Sequence, residues 1–389
     1  MYDRIRLVRP EFDDELTGLI IDLDYLRKGQ PAGTTPSKFF IQLKAIFLML
    51  EALGSARIEG NRTTVAQAAE DRIARKPGDG PSSDERMREY LNVEQALTFL
   101  ETLPQESLAT PGLVRELHKR VVEGLPLTGE GSASPGSWRP GPVAIAGSRH
   151  RPPDAGDVPA LMDELFAFLD APDNPRYDLI KLALAHHRFA WIHPFDNGNG
   201  RAVRLFTYGL ILRAGFRVAG TGGDGRILHP TAIFCSDREA YYAALERADA
   251  GDEEGLLAWC RYVLRGLKAE IEKIDRLSDF TYLRDRILLP ALEELARRDG
   301  VNGREWAILE AGIRTEEPLT NARARSALGG DVSIAYVSRI LADLRERRLL
   351  IPESEGARKY SVNFGDSPLL RTLIGALDRE GFLPLQGEI

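Results

Sequence analysis

Cysteine is nearly absent: 389 residues contain two, Cys235 and Cys260. Two thiols cannot staple a disulfide scaffold or build a Cys-based zinc module. Lone Cys in a reducing compartment behave as small apolar groups. Histidine is scarce too, at six. No internal repeat recurs. The first 27 residues mix Arg, Asp and Glu among their apolar positions, so no secretory signal is expected and a cytoplasmic location is. The most apolar stretch, residues 39–53, is broken by Lys44 and Glu51 and falls short of a bilayer span. The Gly-rich residues 220–225 lack the Gly-Lys-Ser/Thr ending of a phosphate-binding P-loop and read as a plain loop. A formal net charge of -7 argues against nucleic-acid binding by the whole surface, though a basic segment can still provide it locally.

What is present is an ordinary globular composition, 43% hydrophobic and 28% charged. At roughly 150 residues per domain the length predicts two or three units. Helical periodicity dominates, as in residues 38–56, where Phe39, Leu43, Ile46, Phe47, Leu50 and Leu53 form a 3.6-period stripe. Residues 85–100, 113–122, 158–169 and 178–191 also read as helices, with Pro/Gly-rich breaks at 76–82 and 125–141. The fold class is therefore mainly α. One β-prone island, residues 142–147, predicts a short hairpin lying on the helices as a flap. A helical stretch over 253–295 leads to the C-terminal part.

From residue 304 the pattern becomes three helices (304–311, 319–328 and 333–347) followed by two strand-like runs at 349–351 and 360–362. That order resembles a winged helix-turn-helix, with Ser333 as N-cap of the third helix. Eight Lys/Arg against five acids between Leu319 and Phe364 are compatible with phosphate contact, and equally with a protein-interaction module.

Chemistry concentrates in Ile192-His193-Pro194-Phe195-Asp196-Asn197-Gly198-Asn199-Gly200-Arg201-Ala202-Val203-Arg204. An apolar helix delivers a single His and is stopped by Pro194. A Gly-Asn-Gly turn follows, then a new helix. Gly198 and Gly200 can take positive φ and let a ligand approach the backbone. The amides there and at the helix start form an anion-binding concavity. Arg201 and Arg204, three apart, can reach the same anion. One titratable base beside such a nest is a layout for chemistry on a polyphosphate.

This run resembles the signature of Fic-domain proteins, His-Pro-Phe-x-(Asp/Glu)-Gly-Asn-Gly-Arg-x-x-Arg. Ala185-His186-His187-Arg188-Phe189 before it, Tyr241-Tyr242 after it and the segment from Ser137-Trp138-Arg139 to Pro153, similar to the family's flap, extend the likeness over about 31–264. The resemblance implies a Fic helical fold and transfer of AMP from ATP to a protein Ser, Thr or Tyr hydroxyl. His193 would be the general base. Gly198, Asn199 and Gly200 would hold the phosphates, Arg201 and Arg204 would neutralise the β/γ end, and Phe195 would anchor the loop. Val143 to Ala146 would clamp the target protein by strand addition. Asn197 stands where the family has an acid that binds Mg²⁺, which implies a weakened metal site. Asp237 and Tyr241 are adenine-side candidates for ATP.

Ser55-Ala56-Arg57-Ile58-Glu59-Gly60-Asn61 resembles the family's inhibitory motif, Ser/Thr-x-x-x-Glu followed by Gly or Asn. Ser55 and Glu59 share one helical face. By resemblance Glu59 pairs with Arg204 and blocks seating of the ATP γ-phosphate; it could also position a water that removes AMP. The expected domains are an N-terminal region with the inhibitory helix (1–105), the catalytic core (106–265), a linker helix (266–300) and the winged helix-turn-helix (301–389). A homodimer, and DNA or protein contact through the last domain, complete the partner expectations. The rival from another class is a nucleotide-sensing DNA-binding regulator with little turnover. A metal hydrolase using His186, His187 and His193 is disfavoured, because adjacent helical His point about 100° apart.

Overall fold

The computed structural model describes residues 4–29, 33–75, 79–216, 227–354 and 356–383. The Gly-rich residues 220–225 lie outside them. The chain runs through α1 (Glu15–Lys28), α2 (Ser37–Ile58), α3 (Val65–Ala74), α4 (Glu85–Glu101), α5 (Pro111–Val121), α6 (Val158–Asp170), α7 (Asp178–Ile192) and α8 (Asn199–Arg213). After these come α9 (Ala232–Cys235), α10 (Arg238–Ala248), α11 (Glu253–Asp275), α12 (Phe280–Tyr282) and α13 (Leu289–Arg297). The C-terminal part holds α14 (Gly303–Ile313), α15 (Asn321–Ala327), α16 (Ile334–Glu346), β1 (Leu350–Pro352), β2 (Tyr360–Val362) and α17 (Leu369–Arg379).

Two central helices explain the rest. α8 packs against α2, α4, α5 and α7, while α7 is covered on its other sides by α6 and α11. α2 is 22 residues long and apolar enough to cross a membrane, longer than its sequence pattern suggested. Its interrupting charges are absorbed inside the fold: Lys44 pairs with Glu101 at 2.7 Å, and Glu51 meets His229 at 2.8 Å and the Thr231 amide. Once those charges have partners the helix can be buried along most of its length.

Two expectations need correction. Residues 142–146 form no ladder; the island ends in a turn where the Ser148 N–H donates to the Ile145 carbonyl. The segment is tied down by a side chain instead, Arg139 donating to the carbonyls of Gly141 and Pro153 on either side of it. The two-stranded antiparallel sheet lies instead at the C-terminal end, with Leu350 opposite Val362. Second, the stretch 253–295 is not one helix: a 3-10 turn at Arg276–Ser278 ends it, and Asp279 caps a new start by accepting from the Thr281 amide. Beyond the hairpin, α17, a helix not expected from the sequence, packs on both α13 and α3.

The order helix, helix, helix, hairpin predicted for the C-terminal part is the order found, and Ser333 caps α16 by accepting from Tyr336 N–H at 3.2 Å. Leu319 and Tyr360 exchange backbone hydrogen bonds beside the hairpin. Gln42 of α2 reaches over, donating to the Val362 carbonyl and accepting from the Phe364 amide. Four of the eight basic residues counted there are committed inside the chain. Arg323 bonds Thr315 and Glu317, Arg325 the Val332 carbonyl, Arg347 Glu305, and Arg348 the Ile73 carbonyl.

Candidate active site

The site forms where α7 stops and α8 starts. His193 is the C-cap of α7, in the left-handed region at φ 52°, a position that turns its side chain out of the helix. Its Nδ1 faces the Ala190 carbonyl at 3.3 Å. A carbonyl only accepts, so Nδ1 carries the proton and Nε2 is left with its lone pair. Loss of water pushes the imidazole pKa down to about 4, against smaller upward pulls from the Ala190 carbonyl and Glu59. The ring is neutral at pH 7.

The loop between the helices is braced from inside. Asn199 accepts from the Phe195 amide through Oδ1 and donates to the Phe195 carbonyl through Nδ2, both at 2.9 Å. Its side chain thus holds the turn rather than a phosphate. Gly198, at φ 70°, caps α8 without any side chain, leaving the first-turn amides no such partner. A Cβ at Gly198 would press on Val122 at 2.9 Å.

Glu59 lies over this helix start. Its Oε1 accepts from Arg204 Nη2 at 2.7 Å, and a Cβ on Gly200 would collide with the same carboxylate. Arg204 is further held by Ser55, through Oγ at 2.9 Å and the carbonyl at 2.8 Å. Burial works to raise the Glu59 pKa, but the charge and hydrogen bond of Arg204, with Arg201 and His193 beyond, hold it below the ordinary range. Arg201 is fully buried and turned away, bonding Glu130 at 2.7 Å and approaching Glu89 at 3.3 Å. The two guanidiniums expected to share one anion are therefore already bound to different acids.

Residues 109–211 match the family model described as the Fic/DOC family. That stretch is similar to a Fic domain. Over 201 residues it is 33% identical to proteins named protein adenylyltransferase Fic from Drosophila mojavensis and Drosophila melanogaster, covering 51% of this chain and 36% and 37% of theirs. The match thus spans little more than a third of the length of those curated relatives. Its fold is similar to that of a Fic family protein from Desulfovibrio desulfuricans G20, with TM-score 0.53, 19% identity, and 91% of this chain and 98% of that one covered. A Fic domain containing signaling protein from Bacteroides thetaiotaomicron VPI-5482 gives TM-score 0.50 and 17% identity, covering 68% and 98%.

Two residues that organise the site, His118 and Arg139, sit about 50 to 80 positions away from the loop they hold, so no local spacing rule links them to it. His118 accepts the Gly136 amide at Nδ1 (2.9 Å) and donates from Nε2 to the Asn197 carbonyl (3.0 Å). Burial pushes its pKa down to about 4. Arg139 ties the flap to the loop, donating to the His193 carbonyl at 2.9 Å and to the carbonyls of Gly141 and Pro153.

On the adenine side the structure departs from the expectation. Tyr241 is buried, and its hydroxyl is spent on His186 Nε2 at 2.9 Å, while His186 Nδ1 meets Thr207. Asp237 caps α10 by accepting from Ala240 N–H at 2.8 Å. The neighbouring Tyr242 is the exposed ring, with Arg238 over its face at 5.3 Å. Successive helical side chains point about 100° apart, so only one of the pair can face out. His187, at 3.0 Å from Asp249, and His186 have separate partners and do not converge with His193.

The Mg²⁺ expectation does not fit these residues as folded. Asn197 donates to the carbonyls of Gly129 (3.0 Å) and Gly131 (3.1 Å), and its Oδ1 already accepts from the Gly198 amide at 2.7 Å. Asp196 spends its carboxylate on the Ser132 hydroxyl and the Ala133 amide. Among the described residues no group of three His, Cys, Asp or Glu could hold a metal ion.

Proposed function

We propose that this protein is a protein adenylyltransferase that moves AMP from ATP to a Ser, Thr or Tyr hydroxyl of a target protein or of itself, and that Glu59 holds the reaction back. The observation that carries the reading is the Glu59 carboxylate bonded to Arg204 beside Gly200, at the start of the helix that follows His193.

Chemically, the target hydroxyl loses its proton to His193 Nε2 as its oxygen bonds the α-phosphorus. The bond from that phosphorus to the bridging oxygen breaks, and pyrophosphate leaves with the electron pair. A base with its pKa well below 7 is always ready to accept, and proton transfer is driven by the bond being made. The α8 amides, unhindered at Gly200, offer fixed donors to the phosphate charge. Arg204 would neutralise the distal phosphates once Glu59 lets go, since a carboxylate and a phosphate compete for one fork of donors. The flap, resting on Arg139, would hold the target as an extended segment through its backbone near Val143 to Ala146.

The test is transfer of labelled AMP by the wild type, Glu59→Gly and His193→Ala. A hydrogen bond to a charged group contributes about 1.5–3 kcal/mol, so freeing Arg204 should raise labelling roughly 10- to 100-fold, and His193→Ala should abolish it. Equal labelling by wild type and Glu59→Gly removes the brake. Tight ATP binding with no transfer by any form would make the protein a nucleotide sensor instead.

A further inference from the structure

Away from α8, an open pocket of 930 Å³ lies where the end of α2 meets α10 and α11. Among the described residues, Arg57, Arg62, Arg238 and Lys273 line it against one carboxylate, Glu270. That carboxylate is bonded to Lys273 at 2.6 Å. The pocket shares no lining residue with the loop of His193 or the start of α8. It does include Ile58 and Gly60, the residues on either side of Glu59. Tyr242, under the Arg238 guanidinium, reaches the Ile58 carbonyl at 3.4 Å.

Like charges gathered in one concavity repel each other and raise the local concentration of anions. Arg is the side chain best suited to gripping a phosphate, through paired N–H donors. Two of the cations, Arg57 and Arg62, belong to the segment that carries Glu59, while Arg238 and Lys273 belong to α10 and α11. An anion shared between them would tie the segment that carries Glu59 to α10 and α11.

We propose that this pocket binds a small phosphate-bearing anion and that occupancy holds residues 57–62 where Glu59 meets Arg204. The pocket is formed in the arrangement in which that contact is made, and a ligand stabilises the arrangement it binds. The regulatory half rests on the autoinhibition reading; the binding half does not.

Hydrogen exchange of the full chain, read at the amides of residues 57–62, compares inorganic phosphate with chloride at matched ionic strength. Phosphate is expected to slow exchange several-fold in the wild type and not in the double variant Arg62→Gln/Arg238→Gln. Both side chains are exposed, so the double variant should fold. No slowing in the wild type, or equal slowing in the double variant, overturns the site. Glycerol phosphate in place of inorganic phosphate separates a phosphate ester from the free ion. For the coupling, phosphate should weaken binding of a fluorescent ATP analogue to the wild type but not to Glu59→Gly or the double variant. Equal weakening in the double variant would mean competition at α8 and would sink the proposal. Should Glu59→Gly fail to raise AMP transfer, the brake falls, while the exchange measurement still reads the pocket.

Discussion

The rings of His118 and Phe195 lie face to face, their centroids 3.7 Å apart and their planes 6° from parallel. The stack, with the two hydrogen bonds of the imidazole, presses the loop after His193 onto α5. Phe195 is fully buried, also touching Trp138 and Phe189, so the loop is set by its apolar anchor before any ligand arrives.

Replacing His118 should therefore loosen the loop. His118→Ala leaves the Gly136 amide and Asn197 carbonyl without a partner and opens a cavity under Phe195. A loss of about 2–4 kcal/mol is expected. His118→Gln, which can still accept and donate, should recover part of that loss and of the AMP transfer. Urea melts and labelling of both variants check it; equal damage by Gln and Ala would leave only packing.

The pH profile separates His193 from an ordinary imidazole. With its pKa pushed down to about 4, the ring stays unprotonated until the solution is strongly acidic. Transfer by Glu59→Gly should stay flat from pH 8 to well below 6.5 and fall only near pH 4, whereas an unshifted His inflects at about 6.5. Stability follows the same window. The unfolded chain binds the proton first, so the contribution of His193 and His118 is whole above about 6.5 and is lost as pH falls toward 4.

Gly200 and Glu59 should be coupled. Gly200→Ala drives a methyl into the Glu59 carboxylate and to 3.1 Å from Arg204. Overpacking of this kind costs about 1–3 kcal/mol. In the Glu59→Gly background most of that cost should vanish. A double-mutant cycle on urea midpoints measures the coupling, and additive losses would show that the clash is absorbed elsewhere.

Asn197→Asp tests the missing acid. The Asn side chain donates to two carbonyls, and a carboxylate in its place would face two oxygens with no proton to offer. Without divalent ions the variant should lose about 1–3 kcal/mol. Added Mg²⁺ should raise its Tm but leave that of the wild type unchanged, because three oxygens would then converge. A Tm insensitive to Mg²⁺ in both proteins would count against this arrangement.

Much of this protein was legible in its sequence because local rules produce it. Apolar spacing marks α2, α4, α5, α6, α7 and the three helices before the hairpin, and Pro194 with Gly198 and Gly200 marks the break between α7 and α8. The approach of Glu59 to Arg204 was accessible only through the likeness of two short motifs, since no local rule links positions 145 residues apart. Tertiary structure alone decided the rest. Helical phase buries Tyr241 and exposes Tyr242, a choice made by which face of α10 meets His186. Asn199 and Arg201, polar enough to serve a ligand, are taken up by Phe195 and by Glu130 and Glu89, because buried donors must find acceptors wherever the fold supplies them. Asn197 is occupied in the same way by carbonyls almost seventy residues earlier. Identity and order along the chain state what a side chain can do, while the partners that claim it come from packing.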